Sequence, residues 1–346
     1  MSLDLNRRSF IQNTALQTAG VALAAQSTGL LAMSGRSSNR LKHVNQIPLR
    51  GVIPAALTPF DSNMNISLKD FQQHIKGLSN TEGVTAILVN GGAGEISTLS
   101  RDERRQVVAE AVSIAGDKTP IIVGLDELDN ATLQEMAKDA ELEGARGVMP
   151  MPPRDLAGAE WDSAYARHSE VFNATNLPVV IFQTIYSNEI LTKLAEYPQV
   201  FAIKEASRTP FDFEKNIRSI RALDKNVAVW STHTQWFLSD LGLGADGILS
   251  GMGSFAAELH VALVSAMHSG DLHSAKKISE KLFPLSQAIR HSCIDNDNFV
   301  YAVMKYALVR LGILKNAYVR PPNEPFIDRE LQQQFDMALS KSGLLL

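Results

Sequence analysis

From Leu49 onward, strand-like and helix-like runs alternate, with eight strand runs about 25 residues apart, and this alternation restricts the fold more than any other feature. The strand runs are Gly51–Thr58, Val84–Asn90, Pro120–Gly124, Gly147–Met151, Pro178–Phe182, Val200–Lys204, Val227–Ser231 and Gly247–Ser250. The run Val84–Asn90 is apolar almost without a break, as expected of a parallel strand covered on both faces. Helix runs start near Leu68 and cover Ser100–Ala115, Ala131–Glu143, Asp162–Asn173, Ile190–Glu196, Phe211–Leu223 and Gln235–Leu243. Ser67 stands where an N-cap belongs, and Ser100 with Glu103 three residues on spells a capping box. This succession predicts a closed (β/α)8 TIM barrel. An open doubly wound sheet is the competing fold, and it usually carries a Gly-x-Gly-x-x-Gly turn after its first strand; none follows Thr58. Helical periodicity continues after the last strand over Ala256–Ser269, Leu272–Arg290, Asn298–Leu311 and Asp328–Ser342. We read a barrel over residues 46–254 and a C-terminal helical extension packed on it over 255–346.

The bulk numbers fit one soluble chain. It has 346 residues, 45% hydrophobic and 20% charged, with a formal net charge of -4. No basic cluster sits beside interleaved aromatics, so no nucleic-acid partner is expected. The single cysteine, Cys293, excludes an intrachain disulfide and a cysteine-based metal site.

Residues 1–45 differ in character. Asn6-Arg7-Arg8-Ser9-Phe10-Ile11 opens with paired arginines, and a run of small, apolar and uncharged polar residues follows from Asn13, including Val21-Ala22-Leu23-Ala24-Ala25. This pattern reads as a twin-arginine signal peptide and linker, and predicts export to the periplasm of a bacterium. The run is weakly hydrophobic and rich in Gln, Thr and Ser, so no stable membrane anchor is expected. The twin-arginine route carries folded proteins, which suits a cysteine-poor fold.

In such a barrel the chemistry gathers where the strands end. Val200-Phe201-Ala202-Ile203-Lys204 is an apolar strand that ends on a lysine. A lysine has an unperturbed pKa of about 10.4, and desolvation brings it toward ~7–8, where the free amine attacks carbonyls. The plain alternative is a lysine that merely begins a loop. Gly91-Gly92-Ala93-Gly94-Glu95 after the second strand offers backbone N–H groups that suit a carboxylate; the alternative is a tight turn using glycine for its positive φ. Ser250-Gly251-Met252-Gly253-Ser254 after the eighth strand is a second glycine loop, of the kind that binds phosphate in many barrels. His233 follows the seventh strand and is suited to acid–base work, or to a structural bond with loop backbone. Arg154, near the end of the fourth strand, suits a second carboxylate or stays solvated.

The ordered set Gly91-x-x-Gly94-Glu95, Ile203-Lys204-Glu205-Ala206-Ser207 and Gly244-Ala245-Asp246-Gly247 resembles the dihydrodipicolinate synthase / N-acetylneuraminate lyase family, from about Leu49 to the C-terminus. The resemblance implies a class I aldolase-type barrel in which Lys204 forms an imine with an α-keto acid. It also implies a glycine loop that binds the keto acid's carboxylate, no cofactor, and a homo-oligomer, commonly a tetramer. The departures carry information too. The family's two loop hydroxyls are replaced by Gly92 and Ala93. Its proton-transferring tyrosine at the end of strand five is replaced by Phe182, with Tyr186 four residues on as the substitute. The synthase branch's arginine falls near Ser187.

The resulting expectation is a Schiff-base lyase or aldolase that differs from a true dihydrodipicolinate synthase. Lys204, His233 and Tyr186 are its catalytic candidates. Gly91, Gly92, Ala93, Gly94, Phe182, Arg154, Ser250 and Gly251 are its substrate-binding candidates. A non-catalytic keto-acid or sugar-acid binding protein on the same fold is the alternative. A metal-dependent hydrolase would need inward histidines and carboxylates at several strand ends. Of these only His233 stands out, with Glu95 and Asp155 as weaker additions, so no metal is assigned.

Overall fold

A computed structural model of the chain describes residues 47–345 apart from 117, 127–128, 153–159, 293–298 and 327. The leader of residues 1–45, Arg154 and Asp155 therefore lie outside the described residues.

Eight short strands form the centre: β1 (Gly51–Pro54), β2 (Ile87–Val89), β3 (Ile121–Leu125), β4 (Gly147–Pro150), β5 (Val179–Gln183), β6 (Val200–Glu205), β7 (Ala228–Ser231) and β8 (Gly247–Ser250). Their order is β1-β8-β7-β6-β5-β4-β3-β2, and all the pairings are parallel. β1 pairs with β8 from Gly51↔Gly247 to Pro54↔Ser250, and bridges Val52↔Val84 and Ala55↔Leu88 close the ring toward β2. This is the (β/α)8 barrel that the alternation predicts.

Successive strand residues fall into two apolar layers, because side chains alternate across a strand. Ile53, Leu88, Ile122, Met149, Val180, Ala202, Trp230 and Leu249 fill the barrel. Their immediate neighbours Val52, Ile87, Val123, Val148, Ile181, Ile203, Val229 and Ile248 face the helices instead. Trp230 lies across the interior, its indole N–H bonded to Leu49 O at 2.8 Å and its ring edge-on to Phe201.

The surrounding helices are α1 (Leu68–Asn80), α2 (Arg101–Ala115), α3 (Asn130–Leu142), α4 (Trp161–Ala174), α5 (Asn188–Ala195), α6 (Pro210–Arg221) and α7 (Phe237–Gly242). The C-terminal extension comprises α8 (Gly253–His268), α9 (Leu272–Ser292), α10 (Val300–Arg310) and α11 (Arg329–Ser342). The Ser100–Glu103 capping box forms as predicted. Ser67 does not cap α1: its hydroxyl donates to Asp70 at 2.9 Å, because a carboxylate one turn away is the stronger partner. β2 is shorter than its apolar run, since the turn from Thr81 to Val84, with Gly83 at φ 87°, occupies the beginning of that run.

Candidate active site

The alternation within β6 puts Ala202 and Lys204 inside and Ile203 and Glu205 outside. Lys204 stands in register with Phe182 of β5 and Trp230 of β7. Its Nζ lies 3.7 Å from the centroid of the Phe182 ring. Burial among these apolar neighbours pushes the amine down to about 7. Among the described residues no carboxylate pairs with it. Lys204 is thus a half-buried amine, neutral in a large fraction near pH 7, at the strand end where a barrel does its chemistry.

The loop after β2 is a short 3-10 turn over Gly92–Gly94, entered through Asn90 and left through Glu95, both at positive φ. Gly94 N–H bonds to Gly91 O at 3.0 Å and Glu95 N–H to Gly92 O at 2.9 Å. The turn therefore consumes the N–H groups of Gly94 and Glu95, while those of Gly92 and Ala93 make no backbone bond among the described residues. Gly124 on β3 permits this placement: a Cβ there would lie 2.1 Å from Asn90 O.

Glu95 anchors the loop to the C-terminal extension. Its buried carboxylate accepts from Lys305 Nζ of α10, from Arg320 N at 3.0 Å and from Asn323 Nδ2 at 2.8 Å. Lys305 also donates to Tyr318 O at 2.7 Å and lies over the Phe60 ring. Burial pushes the Lys305 amine down while the Glu95 charge pulls it back up, leaving it at about 8. The Arg320 guanidinium holds Glu103 at about 2 and bonds Met64 O, tying the same segment to α2 and to the loop before α1. Glu95 is thereby committed to Lys305 and is no metal ligand in this arrangement.

α10 presents Tyr301, Met304 and Lys305, three and four residues apart, toward the two glycine loops. A Cβ on Gly92 would lie 3.1 Å from the Tyr301 hydroxyl and 3.9 Å from Met151 Cε. A Cβ on Gly251 would lie 2.9 Å from Met304 Sδ and 3.5 Å from Ala93 Cβ. The loop after β8 is therefore covered by Met304. Ser250 turns its hydroxyl onto its own loop, accepting from Met252 N at 3.2 Å. The phosphate reading, for which loop glycines alone are weak evidence, gains no support from these contacts.

Two predicted catalytic residues lie elsewhere. His233 follows Ser231, the outward residue of β7, and sits between strand and helices. Its Nδ1 is 3.0 Å from Asp240 Oδ2, and its ring packs against Trp236 and Phe213. Asp240 also accepts from Ser231 at 2.5 Å. Counting the strand alternation past Trp230 would have turned His233 outward. Tyr186 is likewise packed in the outer layer, edge-on to His168, with its hydroxyl raised to about 12 by burial. Ser187 caps α5 through a bond from Ile190 N–H. Behind Lys204, the outward Glu205 accepts from Ser207 N at 2.8 Å and Asn216 Nδ2 at 3.3 Å, and burial lifts its carboxyl to about 7.

The family model described as the Dihydrodipicolinate synthetase family matches residues 48–342. The chain belongs to this family. It is 26% identical over 304 residues to the 4-hydroxy-tetrahydrodipicolinate synthase of Thermotoga petrophila, covering 86% of this chain and 99% of that one. It is 28% identical over 280 residues to an uncharacterised DapA-like lyase of Pyrococcus horikoshii, covering 79% of this chain and 94% of that one. A solved dihydrodipicolinate synthase of Thermotoga maritima superposes with a TM-score of 0.78 at 25% identity, over 86% of this chain and 99% of that one. Family and fold together point to a class I aldolase-like lyase. Within the dihydrodipicolinate synthetase family this chain is a divergent member, with Gly92 and Ala93 in its glycine loop and Phe182 beneath its lysine.

Proposed function

We propose that this protein is a Schiff-base-forming lyase or aldolase acting on an α-keto acid or keto-sugar acid, and that it is not a true dihydrodipicolinate synthase. The observation that carries the reading is the Lys204 amine, desolvated to about 7 and facing Phe182 inside the barrel. A neutral amine attacks a ketone carbonyl, whereas an ammonium cannot. The N–H groups of Gly92 and Ala93 supply donors for the keto acid's carboxylate. The loss of both loop hydroxyls, together with Phe182, argues against the synthase reaction itself.

Borohydride trapping with pyruvate, read by intact mass and peptide mapping, tests this. The expected result is a pyruvate-derived adduct on Lys204 that is absent from Lys204→Ala. Failure with pyruvate and with a panel of larger keto acids would sink the imine mechanism. Ligand-induced thermal stabilisation without turnover would then favour the binding-protein reading, which the missing hydroxyls also suit.

The paired arginines Arg7-Arg8 and the uncharged run after them support export by the twin-arginine route. Fractionation of cells carrying the parent and an Arg7→Lys/Arg8→Lys variant checks this, with periplasmic protein expected only for the parent. A homo-oligomer is proposed from the family, and light scattering after size exclusion measures it. Among the described residues no helix is long and apolar enough to cross a membrane.

A further inference from the structure

A Schiff-base site needs a group that moves protons between the keto acid's oxygen, the amine and the α-carbon. Phe182 has no exchangeable proton, Gly92 and Ala93 have no side-chain hydroxyl, and Tyr186 and His233 are turned into the outer layer. The Tyr301 hydroxyl is different. It reaches from α10 to within 3.1 Å of where a Gly92 side chain would begin. Met151 Cε reaches the same point, and Met151 packs on the interior cluster together with Phe182, the residue beneath Lys204. The phenol thus enters the barrel mouth at the spot a loop side chain would fill, beside the N–H groups proposed to hold the carboxylate.

We propose that Tyr301 is the proton-transfer group of the Lys204 site, delivered by the C-terminal helix in place of a strand tyrosine and loop hydroxyls. This rests on the Schiff-base reading above. In the addition step the Lys204 nitrogen lone pair bonds to the keto carbon and the C=O π pair moves to oxygen. Tyr301 gives that oxygen its proton and, as phenolate, takes one from the nitrogen, yielding a neutral carbinolamine and restoring the phenol. A second proton from Tyr301 lets the C–O bond break with loss of water, and the nitrogen lone pair forms the iminium. The phenolate then removes an α-proton, and the C–H pair becomes the C=C bond of a neutral enamine. Each cycle leaves Tyr301 protonated.

Gly92 and Tyr301 are then two halves of one arrangement. A serine at 92 would place its Cβ against the phenol oxygen, so the small residue makes room for the reaching one. Removing the hydroxyl in Tyr301→Phe vacates that space, and Gly92→Ser in the same chain returns a hydroxyl near it.

The test uses pyruvate in D2O, with solvent exchange at its methyl group followed by NMR and endpoint borohydride trapping run alongside. Tyr301→Phe is expected to keep the Lys204 adduct while exchange slows by about 100-fold or more. The double variant Tyr301→Phe/Gly92→Ser is expected to recover part of that loss. Far-UV circular dichroism of the single variant should match the parent's, since one atom is removed. An exchange rate in Tyr301→Phe equal to the parent's, with the adduct intact, overturns the role of Tyr301 and leaves the function standing. Absence of any adduct in the parent, with pyruvate and with the panel of larger keto acids alike, overturns the Schiff-base reading instead. A structural role for the phenol alone would predict a lower melting temperature and no rescue by the serine.

Discussion

The Lys204 amine rests on the face of Phe182, 3.7 Å from the ring centroid. Two opposed effects meet there. Desolvation disfavours the ammonium, while the negative face of the ring favours it. Desolvation prevails, and the amine ends at about 7. The initial rate of reductive trapping on Lys204 should therefore rise with pH through about 7 and level off above it. Phe182→Leu removes the ring face and keeps the apolar setting, so its midpoint should fall, by roughly half a unit to a unit and a half. A midpoint that rises in this variant would contradict the account.

The same lysine shapes stability. Its folded pKa is about 7, while an unfolded lysine titrates near 10.4. Between these values the unfolded chain binds more protons, so this residue's contribution to stability rises with pH across that window. Below about 7 its penalty is present in full. Lys204→Met should thus be more stable than the parent at and below neutral pH, and the gap should close as pH approaches 10. Urea unfolding of both proteins at matched pH isolates the difference, because other titrating groups cancel.

Lys305 and Glu95 form a buried ion pair between α10 and the loop after β2. Lys305→Met leaves the Glu95 carboxylate buried without its cation, at a cost of about 3–5 kcal/mol. Adding Glu95→Gln removes the stranded charge and should recover part of that loss. Denaturant midpoints decide the comparison, and a Lys305→Met variant as stable as the parent would contradict the buried pair.

His233 and Tyr186 face the helices, so neither should affect the chemistry at Lys204. His233→Ala should lower stability by about 1–3 kcal/mol, since Asp240 loses one of its two donors inside the protein. Tyr186→Phe buries one polar atom fewer and should be neutral or slightly stabilising. Both are expected to give parental trapping rates with pyruvate, and a collapse of trapping in either would return that residue to the site.

The barrel was legible because its information is local and periodic. Apolar strand runs, the Ser100–Glu103 box and the helical stretches each sit within a few residues of chain. Lys204 was legible for the same reason, being the charge that closes an apolar strand. His233 lies near a strand end but on its outward side, while Tyr186 lies beyond β5, where the turn into α5 and not strand alternation directs the ring into the outer layer. The parity of β7 turns Ser231 outward, and His233 follows it. Tyr301 and the Glu95 anchor left no local signal. Lys305 and Glu95 are 210 residues apart, and the segment that supplies Arg320 and Asn323 has no periodicity to read. Contacts of that range are decided by tertiary packing. Gly92 did carry a trace of it, as a glycine where the family resemblance calls for a hydroxyl.

That long span has a consequence for how the protein comes into being. All eight strands, Lys204 and the Gly92 loop are synthesised before α10 leaves the ribosome. A nascent chain at that stage has its amine but lacks the cation that anchors Glu95 and the phenol that lies against Gly92. The centre proposed here thus draws on a helix made after all eight strands. Chains released before α10 would lack both Lys305 and Tyr301, and with them the cation that anchors Glu95 and the proton-transfer group proposed for Lys204.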